Sequence, residues 1–241
     1  PELMRPLSPG LEPWRLKEVA QELRSRVQVE KERSELHVPY YRIGIPLAYP
    51  LPLQRSPKMQ DLPVGIQGIT YPWYTWLSWS LEERWRLLHV AWRRFDDHQA
   101  GELLQRELAA LDSWDQYCET VGGFSLSTAH IAACLSQALA QTEGWDEEKY
   151  RRAHRAAEKL FNQEAWPWFQ KEYGTDRQLT VADLQNVRMI GLARTAQLAR
   201  VLNNPNEQKI HARAVEVLRL WFRVRTSAAC YTEGTTYDGY F

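Results

Sequence analysis

Leu16, Val19, Leu23 and Val27 recur every three or four residues. That spacing puts side chains on one face of a helix, and it predicts a first helix from about Glu12 to about Arg33. Residues 38–74 then lose the periodicity. They hold seven prolines and the run IGIPLAYPLPL, which predicts an extended, turn-rich arm, because proline removes a donor and fixes φ. From Ser80 to about Thr226 the helical pattern returns. Ser80 with Glu83 reads as a capping box for a helix ending near Phe95. Further helices are predicted from about His98 to Tyr117, from a cap at Ser127 to about Gln141, and from a cap at Asp146 to about Ala165. Pro167 and Gly174 bracket a short aromatic segment. Thr180 with Asp183 opens a helix to Leu202, and the turn Asn203-Asn204-Pro205 leads into a last one over about 207–225.

Short connections make neighbouring helices antiparallel. Three helical hairpins follow, over 80–117, 127–165 and 180–225. The expected fold class is all-α. Hairpins of this length suit an α/α toroid, an α-solenoid or a simple bundle equally well. The expected organisation is an N-terminal helix and Pro/aromatic-rich arm over 1–79, joined to a helical region over 80–241 as one domain. A start at Pro1 and an abrupt end predict a piece of a longer chain, and give no basis for assigning a compartment.

Composition narrows the partners. Thirty basic residues balance thirty acidic ones among 241, so no net field favours nucleic acid. No apolar run reaches the ~18 residues of a membrane span. Cys118, Cys134 and Cys230 lack CxxC spacing, and the histidines lack HxxxH or HExxH spacing. Neither a metal site nor a cofactor is expected. No Gly-rich phosphate loop or GxSxG elbow occurs. The outliers are eleven tryptophans and eleven tyrosines, which fill a core or line a groove that stacks on sugar faces.

Four places carry candidate chemistry. The terminal run YTEGTTYDGYF puts Glu233, Tyr237 and Tyr240 on a glycine-containing loop. A tyrosine there could act as acid or base if Arg223 and Arg225 lower its pKa; otherwise it is a polar turn. Asn186 and Arg188 begin a helix, where free N–H groups favour a carboxylate; solvated polar side chains are the alternative. Trp73, Tyr74 and Trp76, with Tyr71 and Trp79, form either a sugar-stacking platform or a plug for the bundle. His130, in the first turn after FSLST, is either a base or a packing histidine.

The segment YPWYTWLSWSLEERWRLLHVAWRRF followed by LQRELAALDSWDQY resembles the early hairpin of the α/α-toroid domain of heparinase II/III-like and alginate-lyase-like polysaccharide lyases. So does an asparagine opening a helix, Asn186, with Glu233-Gly234 and Tyr237-Asp238-Gly239-Tyr240 about fifty residues on. The resemblance covers roughly residues 70–241. It implies an incomplete α/α toroid and β-elimination on a uronic-acid glycan, making an acidic polysaccharide or oligosaccharide the partner. Asn186 would neutralise the substrate carboxylate, and Tyr237 would be the acid or acid/base, with Tyr240 in the alternative register. Arg188, Glu233, Trp73, Tyr74 and Trp76 would bind substrate. Val187 stands where the family has a histidine next to the asparagine; Arg188 could replace its positive character but not its imidazole, and His130 is a candidate to substitute for that base in space. A non-catalytic glycan-binding module and a helical protein-interaction scaffold remain as alternatives.

Overall fold

The computed structural model describes residues 13–40, 47–63, 73–118, 126–174, 178–184 and 186–228. Helix α1 (Pro13–Glu32) leads into a two-stranded antiparallel sheet, β1 (Glu35–Val38) and β2 (Leu47–Pro50), with Leu36 opposite Tyr49. Then follow α2 (Trp73–Phe95), α3 (His98–Ala110), α4 (Leu126–Leu139), α5 (Glu147–Leu160), α6 (Trp166–Tyr173), α7 (Asn186–Val201) and α8 (Glu207–Ala228). The protein is predominantly helical, as its periodicity predicts.

Several boundaries follow from local chemistry. Asp97 caps α3 by accepting from the Ala100 N–H, and Asp146 caps α5 by accepting from the Lys149 N–H. Gly144 has φ +73° in the turn before α5, and Asn203 has φ +49° in the turn after α7.

Other boundaries differ from expectation. Helix α2 begins at Trp73, not at Ser80. Ser80 lies mid-helix and donates to the Trp76 carbonyl, 3.0 Å away, rather than capping. The local capping signal loses to burial, because Trp73, Leu77, Leu81, Trp85, Leu88 and Trp92 make one continuous core stripe down α2. Helix α3 ends at Ala110, not near Tyr117. Ser127 lies inside α4. Beyond α5 the chain continues through a π-helical turn, Phe161–Ala165, into α6, so the aromatic segment around Pro167 is helical. Thr180 and Asp183 do pair, but Asp183 belongs to a 3-10 turn, Val181–Leu184, that precedes α7.

The packing is a network of helix pairs. Helix α4 packs against both α2 and α7, and α3 packs against both α2 and α5. Helices α2 and α4 run the same way. Trp79 and Glu82 meet His130 near their starts, and Arg93 donates to the Gln141 and Glu143 carbonyls at their ends. Helices α3 and α5 also run parallel, with Glu102 paired to Lys149 and Asp112 to Arg155. Helix α4 is the middle element and is buried nearly all round. Helix α1 covers α2 mainly with polar contacts, buries Val27, and holds Arg26 to Glu83 and Glu30 to Arg84.

The described tryptophans largely serve the core. Trp73 and Trp114 are fully buried. Their indole N–H groups donate to the Pro57 and Leu53 carbonyls at 3.3 and 3.0 Å. The Tyr74 hydroxyl accepts from Ser56 Oγ (2.9 Å) and from the Gln116 amide (2.7 Å). Residues 51–63 lie outside the two-strand ladder, and Leu53, Ser56 and Leu62 are buried, so backbone acceptors and the serine of this segment are satisfied by aromatic side chains with polar tips.

Two stability predictions arise from this packing. A Cβ on Gly101 would sit 2.7–2.8 Å from the Trp92 ring. That ring is hemmed in by Trp145, His89 and the Arg93 guanidinium. Alanine gains about 1 kcal/mol of helix propensity over glycine, while overpacking costs about 1–3 kcal/mol. Gly101→Ala therefore lowers Tm, and a rise in Tm would show that the ring has room to shift.

His89 is buried, and its Nε2 has no partner among the described residues. Burial, aided by the Arg93 charge, pushes its pKa down to about 4. The unfolded chain, with His near ~6.5, then binds the extra proton. Stability falls as pH drops from about 6.5 toward 4, with a slope approaching ~1.4 kcal/mol per pH unit from this one group. Equilibrium unfolding at several pH values checks it, and His89→Leu should flatten that part of the curve.

Candidate functional site

The starts of α2 and α4 bring together Trp76, Trp79, Glu82 and His130. The Trp79 indole N–H donates to His130 Nε2 at 2.8 Å. His130 Nδ1 contacts Glu82 Oε2. Indole nitrogen can only donate, and an ionised carboxylate can only accept. His130 therefore carries its proton on Nδ1, donates it to Glu82, and keeps an Nε2 lone pair that Trp79 covers. Trp79 itself is partly exposed and packs edge-on against Trp76 and His130. Burial alone would raise the Glu82 pKa, but the His130 and Arg86 contacts outweigh it and hold the carboxyl below its ordinary value. A carboxylate–histidine pair of this tautomer is the arrangement of an oriented general base.

Arg86 extends the cluster by pairing with Glu82 one turn along α2. On α7, Arg194 is half-buried. Its pKa is lowered, first by burial and then by the Arg86 charge. Neither Arg194 nor Arg200 has a carboxylate within ion-pair distance among the described residues. Both line a cleft of about 650 Å³ with Arg86, Ser136 and Gln197. The Cys134 thiol beside this face is pushed up to about 12 by burial and the Glu82 charge, so it is no nucleophile at neutral pH.

The expected site residues fare differently. His130 is in the cluster, and Trp76 borders it, half-buried. Trp73 and Tyr74, expected to stack on sugars, are 0% and 2% exposed. They sit in the core because α2 starts early and turns them inward, and they offer no open face. Arg188, expected to hold a substrate carboxylate, is already paired with Asp183 (2.7 Å) and Glu172 (2.9 Å). Asn186 opens α7, but its side chain lies outside the described residues, as do Glu233, Tyr237 and Tyr240. Trp79, one of the aromatics expected to form a platform or a plug, is in the cluster as well, whereas Glu82, Arg86, Arg194 and Arg200 escaped the site predicted from sequence. Only the Glu82–Arg86 spacing of four gave any local signal.

Among the described residues, no three His, Cys, Asp or Glu side chains gather to hold a metal ion. No described helix is long and apolar enough to cross a membrane. No protein-family model, curated protein or solved structure matches the chain.

Proposed function

We propose that the chain is a carbohydrate-active α/α-toroid domain that binds a uronic-acid glycan and cleaves it by β-elimination. The observation that supports this reading is the Glu82–His130 pair at the starts of α2 and α4, an imidazole oriented by a carboxylate. Helix α7 packs beside α4 and opens on Asn186. Helix α8 packs on α7, and Ala214 and Trp221 line one pocket with Met189, Ile190 and Arg194. Tyr237 follows nine residues after Ala228, outside the described residues. In this reading Asn186 neutralises the substrate carboxylate, the step that makes the C5 proton removable. His130 takes that proton once Trp79 swings off Nε2. Tyr237 protonates the leaving glycosidic oxygen, with Tyr240 in the alternative register.

One observation favours a second reading, a glycan-binding module without catalysis. Trp79 covers the lone pair the base would use. Incubation with polyuronates decides between the two. A lyase generates an unsaturated uronide that absorbs in the near ultraviolet. A binding module quenches tryptophan fluorescence and yields no product, and a protein-interaction scaffold does neither.

A further inference from the structure

The small sheet leaves β1 with an unused edge. The Leu51 N–H donates to the Ser34 carbonyl at 2.9 Å. These two residues stand directly opposite in the register that pairs Glu35 with Pro50 and Val38 with Leu47. Hydrogen-bonded pairs alternate along an antiparallel ladder. Ser34, Leu36 and Val38 therefore turn their backbone groups toward β2, while Glu35 and His37 turn theirs away from it. No backbone hydrogen bond joins Glu35 or His37 to another described residue. Both of these residues are exposed, whereas Leu36 and Val38 are buried. The far edge of β2 is different. Its outward residues are Ala48 and Pro50, and proline offers no N–H to a further strand.

There is room beside this edge. A groove of about 470 Å³ is lined by every residue from 35 to 39 but by Leu47 alone of β2, with Val29 and Ser80 among its other walls. Val29 is 50% exposed. An open edge is a template for another strand, and the pattern of this one matches itself. When two copies of β1 run antiparallel, one register engages both outward residues at once. Glu35 then stands opposite His37 of the second copy, and His37 opposite Glu35 of the second copy. Each such pair exchanges both of its backbone hydrogen bonds. Directly opposed Cβ atoms lie ~5 Å apart, so a carboxylate acceptor faces an imidazole donor on both sides of the two-fold axis. The neighbouring registers set Glu35 against Glu35 or His37 against His37 and lose both pairs.

We infer that the chain associates with a second copy of itself through β1, joining two two-stranded sheets into one four-stranded sheet across a two-fold axis. The interface is isologous, because the same edge serves both copies. Few residues take part, so the dimer is weak and its population depends on concentration. This association is independent of the function proposed above.

Sedimentation of the whole chain from low micromolar to near-millimolar concentration tests it, with Tm recorded for every variant. The wild-type chain passes from monomer to dimer across that range. Glu35→Lys weakens the dimer about tenfold or more, because an edge lysine opposes strand pairing and the symmetry counts each lost pair twice. His37→Pro removes an N–H that the internal ladder does not use, and it abolishes the dimer. The exchanged variant Glu35→His/His37→Glu rebuilds the same pair in reverse and recovers the wild-type affinity to within about threefold. A wild-type chain that stays monomeric at every concentration overturns the inference. A dimer that Glu35→Lys and His37→Pro leave unchanged lies elsewhere on the surface and overturns it as well. An exchanged variant with wild-type Tm that remains monomeric overturns the Glu35–His37 register.

Discussion

Glu107→Ala lowers the free energy of unfolding by about 3–5 kcal/mol, the scale of breaking a buried ion pair from one side. The Arg84 and Glu107 side chains are each 2% exposed. Arg84 donates from Nε and Nη2 to the two Glu107 oxygens at 2.9 and 2.7 Å, and from Nη1 to Glu30 at 3.1 Å. The Trp85 indole N–H donates to the same Glu107 carboxylate at 3.0 Å. Alanine removes both acceptors of the fork and strands the indole N–H as well, while Glu30 answers only part of the guanidinium. The pair ties α2, α3 and α1 together, so the loss is global. Chemical denaturation with an unchanged m-value measures it. The double variant Arg84→Met/Glu107→Leu should recover most of the loss, because similar apolar volume needs no solvation. A single-variant loss below ~1 kcal/mol would mean that water reaches the pair and that its burial is incomplete.

Tyr237→Phe lowers the rate of unsaturated-uronide formation by about 10²–10⁴-fold, the usual contribution of a positioned general acid. The ring is kept and only the hydroxyl goes, so stacking and folding are spared and the loss falls on kcat. Arg223, and Arg225 two residues further on, stand at the end of α8, before the tyrosine-bearing tail. Their charge would favour the phenolate and bring the phenol toward its working range. The near-ultraviolet assay reads the effect directly. A Tyr237→Phe variant with wild-type rate removes Tyr237 from the mechanism, and the same loss in Tyr240→Phe instead would shift the assignment by one register. Loss in neither would leave the chain without its proposed acid.

Much of the architecture was legible because helical periodicity is a short-range property. Each turn is specified by residues three and four apart, and Asp146, Gly144 and Asn203-Asn204-Pro205 mark ends through contacts no further away. The all-helical character after the arm therefore came from the sequence alone, and so did the turn before α8. The short 35–38/47–50 ladder did not, because its strands offer only four residues each.

What the tertiary structure alone decided is who faces whom. Ser80 with Glu83 is a sound local capping signal, yet α2 starts at Trp73, since burying its aromatic stripe outweighs one cap. The same burial turned Trp73 and Tyr74 from candidate platforms into core. His130 acquired Glu82 and Trp79 from about fifty residues away, and Arg86 came to share a cleft with Arg194 and Arg200. No spacing along the chain encodes such meetings. They arise when helices pack together, because packing fixes which exposed faces become neighbours while periodicity fixes only that each helix has one.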